Sequence, residues 1–271
     1  MLILQAPDLY FDVGMVNYHH MSEFIILGSS ALFPLPRTES NRFEDYADIA
    51  NYQKHFPLHD DPLCEAAKVG GKDRRTRACL ALSHNGKRIL FDAGPDILFQ
   101  LKRAGLGKPD AFCITHAHPD ANFGLRNFSG VPVFSESLGT MRADQPFELF
   151  GLSIFPFRVQ HAENTPTVGF RIQLPGNKNI IYASDFHSLR GLKDQFQKAD
   201  LALVDGSILR RSLNGHLSIV SQLKAYKRWQ VRRVLFTHIG HATLPHEQLR
   251  QFVRGRLPDA DVAYDGLKIK M

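Results

Sequence analysis

The sequence predicts an α/β protein whose chemistry sits at the ends of strands. Three features carry that prediction. Short apolar runs alternate with stretches of helical spacing. An Asn85-Gly86 pair joins two apolar runs, the strongest short hairpin signal. Finally, apolar run after apolar run ends on Asp or His: Asp92, His116, His161, Asp185, Asp205 and His238. A single Asp after a strand is ordinarily a turn or helix cap. Repetition along one chain favours a built site, because open α/β sheets place ligands at strand ends.

Taken in order, residues 1–20 are weakly patterned and read as an extension, with Met21 an alternative start of the folded unit over 21–271. Phe24 to Leu27 is a strand closing on Gly28-Ser29-Ser30. Phe43 to Phe56 has helical character and leads to His55, His59, Asp60, Asp61 and Cys64. That group reads as a solvated loop, with a second metal site as the alternative, since no Cys-x-x-Cys or His-x-x-x-His-plus-Cys pair completes a tetrahedral set. Ala78 to Ser83 and Arg88 to Phe91 form the hairpin, followed by the turn Asp92-Ala93-Gly94-Pro95-Asp96. Ile97, Leu98, Leu101 and Leu106 give a helix, and Ala111 to Ile114 a buried strand. Strands are expected over 131–134, 152–155, 157–159, 168–172, 180–183, 201–204, 234–236 and 262–269, with helices over 216–228 and 245–254.

The most informative stretch is Thr115-His116-Ala117-His118-Pro119-Asp120-Ala121-Asn122. Two imidazoles one residue apart share a side in extended backbone. With Asp120 they suit zinc, iron or manganese.

Composition narrows the functional classes. The chain of 271 residues is 44% hydrophobic and 22% charged, as in globular proteins. No apolar run approaches the roughly 18 residues of a membrane span. Three scattered cysteines, Cys64, Cys79 and Cys113, argue against a disulfide scaffold and for a reducing cytoplasm. The net charge of +6 is compatible with an anionic substrate. Without a long arm of clustered Lys and Arg, it argues against a nucleic-acid substrate.

The order Asp turn, Thr-His-x-His-x-Asp, later His161, later Asp185 and Thr237-His238 resembles the metallo-β-lactamase superfamily of metal-dependent hydrolases. The resemblance covers roughly nine-tenths of the chain, from Phe24 onward. Within it, Asp73-Arg74-Arg75-Thr76-Arg77, Phe91 to Asp96, Gly215-His216-Leu217-Ser218-Ile219, Thr237-His238-Ile239-Gly240-His241 and Ala263-Tyr264-Asp265-Gly266 resemble the phosphoribosyl cyclic phosphodiesterase branch. This implies a four-layer αββα sandwich with one or two divalent ions (Zn, Mn or Fe) at one edge. By the resemblance, His116, His118 and His161 hold a first ion, Asp185 bridges, and Asp120 and His238 hold a second. Asp92 supports the ligand loops. His216 contacts phosphate or protonates the leaving oxygen, with a plain helix-entry role as the alternative. Asp120 acts as base if only one ion is present. Arg74, Arg75 and Arg77 either attract phosphate or form a solvated basic loop.

The chain departs from the pattern twice. Relatives carry a further His directly after the Asp; here it is Ala121, and His241 or His187 is left to substitute. The N-terminal cysteine cluster that holds a structural zinc in the branch is reduced to Cys64. The expected function is hydrolysis of a small cyclic or activated phosphodiester by a metal-bound hydroxide, with a small anionic substrate, no membrane, and a homodimer allowed. Two alternatives stand beside it. One is non-hydrolytic work like that of the pyrroloquinoline quinone biosynthesis B protein, which Arg75 to Ala81 and Pro95-Asp96 also resemble. The other is a binding protein on a decayed hydrolase scaffold.

Overall fold

The apolar run after Ser22 forms Glu23–Gly28 (β1), fully buried beyond its first residue. The structure, a computed structural model, describes residues 22–36, 61–212 and 215–271. The expected extension over 1–20, the helix over 43–56, and His55, His59 and Asp60 lie outside the described residues.

Pro62–Val69 (α1) starts at Asp61, whose Oδ1 accepts from Leu63 N (3.0 Å) and Cys64 N (2.8 Å), with Pro62 at the first helical position. The Asn-Gly hairpin forms as expected from Cys79–His84 (β2) and Lys87–Phe91 (β3). Ile97–Ala104 (α2) stops at Gly105, which takes the left-handed conformation at φ 66°. Leu106 therefore packs beside the helix rather than in it. Ala111–Ile114 (β4) leads into the four-residue turn of helix Pro119–Asn122 (α3) and then Val133–Ser135 (β5).

The second half opens with Phe147–Leu149 (β6), absent from the sequence expectation, and Leu152–Val159 (β7). The sequence suggests two strands split at Pro156, yet β7 runs through it. Beyond Ile154 no strand pairs on the β6 side, so the missing N–H leaves no ladder bond unmade, and Pro156 O accepts from Asp144 N at 2.7 Å. Thr167–Leu174 (β8), Lys178–Ala183 (β9), Lys193–Phe196 (α4), Leu201–Asp205 (β10), Ile219–Arg228 (α5), Val234–Thr237 (β11) and His246–Arg254 (α6) follow. The last expected strand is two: Ala260–Val262 (β12) and Lys268–Lys270 (β13), which join different sheets.

One sheet has the order β13-β1-β2-β3-β4-β5 and the other β12-β11-β10-β9-β8-β7-β6. Alternation along the strands assigns the layers. Phe24, Ile26, Leu80 and Leu82 from the first sheet meet Phe170, Ile180 and Tyr182 from the second in a shared core. The intervening Ile25, Leu27, Cys79 and Ala81 pack on α2. Ile181, Ala183, Ala202 and Val204 pack outward against α1, α5 and α6. The result is an αββα sandwich. Strands β3, β4 and β5 are parallel, as are β9 to β12, so their C-terminal ends fall on one edge.

Candidate metal centre

That edge collects the strand-end residues. His116 follows β4 and stands on a short relay. Its Nδ1 donates to Thr115 Oγ1 (2.8 Å), which donates to Asp92 Oδ1 (2.8 Å). Asp92 is buried at φ 63° and also accepts from Thr115 N (2.8 Å), Tyr182 OH (3.0 Å) and Ser184 Oγ (3.4 Å). The relay leaves His116 Nε2 bare. Burial pushes the imidazole pKa down to about 3, so it stays neutral. His161 is fixed likewise, Nδ1 donating to Gly215 O at 3.0 Å. Its Nε2 lies 3.3 Å from His118 Nδ1. The three rings form a triangle with centroids 4.5, 5.1 and 5.1 Å apart.

Beside this triangle lie Asp120, Asp185 and His238. His238 Nδ1 donates to Ser207 Oγ (2.8 Å), which donates on to His238 O. Its Nε2 is 3.3 Å from both Asp120 Oδ2 and Asp185 Oδ1. Burial alone would lower the His238 pKa; Asp185 and Asp120 outweigh it and raise it to about 10. Burial would likewise raise the Asp185 carboxyl, but His238, His161 and His116 hold it far below the usual range. Asp120 is also held low, against its burial, by His238.

The residues fit a cation. His116 Nε2 and Asp120 Oδ1 are buried and make no hydrogen bond. Buried polar atoms without partners are rare in native folds, and here they belong to ligand-type groups. His116, His118 and His161 bring donor atoms within 4.8 Å of one another, as do Asp120, Asp185 and His238.

His216 is not in α5 as the sequence suggests. Ser218 caps that helix, and His216 precedes it in the turn, with Nδ1 donating to Asp205 Oδ2 at 2.7 Å. Asp205 is fully buried and held by Ser207 N at 2.8 Å. Against its burial, Asp205 and then Asp185 raise the His216 pKa. His216, His161 and His187 line a cavity of about 680 Å³ with Arg158, Gln160, Glu163, Thr165, Thr167 and Ser212. Of the supporting residues, Thr115 lies in the Thr-His-x-His-x-Asp stretch and Gly215 in Gly-His-Leu-Ser, whereas Ser207 and Tyr182 are not singled out by the sequence.

Three expectations need correction. Arg75 and Arg77 do not reach out for phosphate. Arg75 is buried and donates to Ser29 Oγ, Ala263 O and His246 Nδ1, while Arg77, also buried, pairs with Asp96 and donates to Leu32 O. These bonds hold the loop 73–77 in place. His241 does not replace the imidazole missing at Ala121. Its Nδ1 faces Asp61 Oδ2 (3.0 Å) and Cys64 Sγ (3.4 Å). His187 turns its Nδ1 to His161 O (2.8 Å) on the cavity side. The loop around Asp61 and Cys64 is more than a solvated loop, since Asp61, Cys64 and His241 form a separate group with donor atoms within 4.8 Å.

Residues 122–239 match the family described as the beta-lactamase superfamily domain. A diphosphatase from the PhnP family superposes with a TM-score of 0.74 at 22% identity, over 93% of this chain and 97% of that one. Zn(2+)-bound PqqB from Methylobacterium extorquens gives 0.73 at 20% identity, over 92% and 100%. An octanoyltransferase from Porphyromonas gingivalis is 22% identical over 232 residues, 72% of this chain. The chain spans only 45% of that curated relative's length. Among the described residues, no helix is long and apolar enough to cross a membrane. The sheet order, the strand-end donors and these likenesses agree, and the chain has the metallo-β-lactamase fold.

Proposed function

We propose that this chain is a metal-dependent phosphodiesterase acting on a small cyclic or activated phosphodiester. The observation that carries the reading is the pair of adjoining donor groups, with the bare, buried His116 Nε2 in one and Asp120 Oδ1 in the other. His116, His118, His161 and Asp185 would hold one divalent ion, and Asp120, Asp185 and His238 a second. Zinc, manganese and iron all accept such ligands. Bound there, divalent ions supply Lewis acidity, lowering the pKa of a water and neutralising charge on phosphoryl oxygens. The chain's own residues do the rest. His216 Nδ1 donates to Asp205, which fixes the ring at the wall of the cavity. From there His216 binds a phosphoryl oxygen or gives a proton to the leaving oxygen. Thr115 and Asp92 hold His116 in the tautomer whose Nε2 is free.

The test is hydrolysis of bis(p-nitrophenyl) phosphate and of ribose cyclic phosphates by metal-loaded protein. We expect turnover that His116→Ala abolishes and His216→Ala reduces by about 10²–10⁴-fold. Fully loaded protein that leaves every diester intact would sink the proposal. The chain covers part of a relative named octanoyltransferase, so octanoyl thioesters belong in the same panel.

The likeness to Zn(2+)-bound PqqB, together with Ala121, supports a second reading: non-hydrolytic work on a small molecule. Oxygen uptake by iron-loaded protein that is inert toward the whole panel would favour it.

A further inference from the structure

The two donor groups of the centre are built differently. In the first, three imidazoles converge, and two have their outer nitrogens locked: His116 by Thr115 and His161 by the Gly215 carbonyl. The second has one imidazole, His238, and two carboxylates, Asp120 and Asp185. Position 121, where the resembling hydrolases place another imidazole, is Ala121. It is 3% exposed, so its methyl group is packed inside with no lone pair to offer. Among the described residues, no other imidazole fills the gap. His241 is turned to Asp61 and Cys64 and His187 to the His161 carbonyl; His216 stands 3.6 Å from Asp185 Oδ1, but that same Nδ1 is committed to Asp205 Oδ2 at 2.7 Å. Asp120 Oδ1 keeps an unused acceptor inside the protein.

Ligand chemistry then separates the two positions. Imidazole nitrogens suit zinc, whereas carboxylate oxygens with waters suit manganese and magnesium. Losing a direct ligand weakens binding at least as much as losing an outer-shell partner, which costs about 10–100-fold in affinity.

We propose that this protein holds two unlike ions: a zinc-type ion kept tightly by His116, His118, His161 and Asp185, and a loosely held, exchangeable manganese-type ion on Asp120, Asp185 and His238. The inference rests on the same residues forming the metal centre, and it adds a regulation. The second position fills and empties with the free concentration of its ion, and the Ala121 methyl group is what makes it do so.

The test uses metals alone and no substrate, so failure of the phosphodiesterase reading and failure of this one are distinguishable. The full chain is loaded with zinc, dialysed and titrated with Mn²⁺. Free Mn²⁺ is read by electron paramagnetic resonance and retained zinc by elemental analysis. Wild type should take up one Mn²⁺ per chain and lose it on gel filtration. Asp120→Asn should abolish Mn²⁺ uptake and leave retained zinc unchanged. Ala121→His should retain one more zinc per chain than wild type and refuse Mn²⁺; because only the difference is read, zinc held at Cys64 cancels. The proposal is overturned by wild type that takes up no Mn²⁺, by Mn²⁺ uptake that survives Asp120→Asn, or by equal zinc retention in wild type and Ala121→His. Should the histidine variant not fold, the Asp120→Asn comparison decides alone.

Discussion

The Asp92 carboxylate touches no donor atom of the centre, yet it accepts from Thr115 twice, from Tyr182 and from Ser184, the neighbours of His116 and Asp185 in chain or space. Burial pushes its pKa up to about 7, so the cluster of donors around it replaces the water it has lost. Replacing it leaves the Thr115 hydroxyl without its acceptor and frees the His116 ring to rotate. Asp92→Ala should therefore weaken zinc binding about 10–100-fold, measured by competition with a chromogenic chelator. At this scale the gathering of the candidate donors is legible in the sequence, because a strand-end His or Asp is a local signal. Their anchors are not. Ser207, Gly215 and Tyr182 are brought in by tertiary contacts 31, 54 and 90 residues distant along the chain from the groups they hold. The Asp61–His241 contact spans 180 residues, which explains why that cluster reads as a loop in the sequence.

Among the elements, the turn after β3 and the short helix α3 are pressed together through glycine. A Cβ on Gly94 would stand 2.4 Å from Asp120 O, and one on Gly124 2.4 Å from Gly94 O. Backbone carbonyls cannot step aside as a flexible side chain could, so Gly94→Ala should lower stability by about 1–3 kcal/mol in a denaturant melt and shift Asp120 enough to reduce second-ion uptake. Helix α6 offers a pH test. His246, at its start, accepts from Arg75 at 3.0 Å, and its N–H donates to Asp73. Burial, then Arg75 and Lys72, lowers its pKa from the ordinary 6.5 to about 4. The unfolded chain takes up this proton first, so the stability His246 contributes is intact above pH 6.5 and is lost as pH falls toward 4. The melting temperature should fall across this window, and His246→Gln should flatten the fall; parallel curves would refute the assignment. The hairpin is legible at this scale through Asn-Gly, and α2, α5 and α6 through apolar spacing, while the stop at Gly105 and the helix α1 are not. Pro156 inside a strand and the division of 260–270 between two sheets are not, because both depend on which neighbour lies alongside.

At the scale of the whole molecule, the donors are divided evenly between the sheets. His116, His118 and Asp120 follow β4 of the first, and His161, Asp185 and His238 follow β7, β9 and β11 of the second. Ions bound there add to folding stability by mass action, about 4 kcal/mol at a thousandfold excess over the dissociation constant. Chelation should lower the melting temperature, added zinc should restore it, and His118→Ala should abolish the restoration, all followed by scanning fluorimetry.

That even division makes the loop before β6 a seam. A chain cut between Asp144 and Phe147 yields two pieces, each bearing three of the six donors and neither a full set for either ion. The centre would then exist only where the pieces meet, and zinc uptake would report their reunion, turning the fold into a complementation sensor read out by a metal.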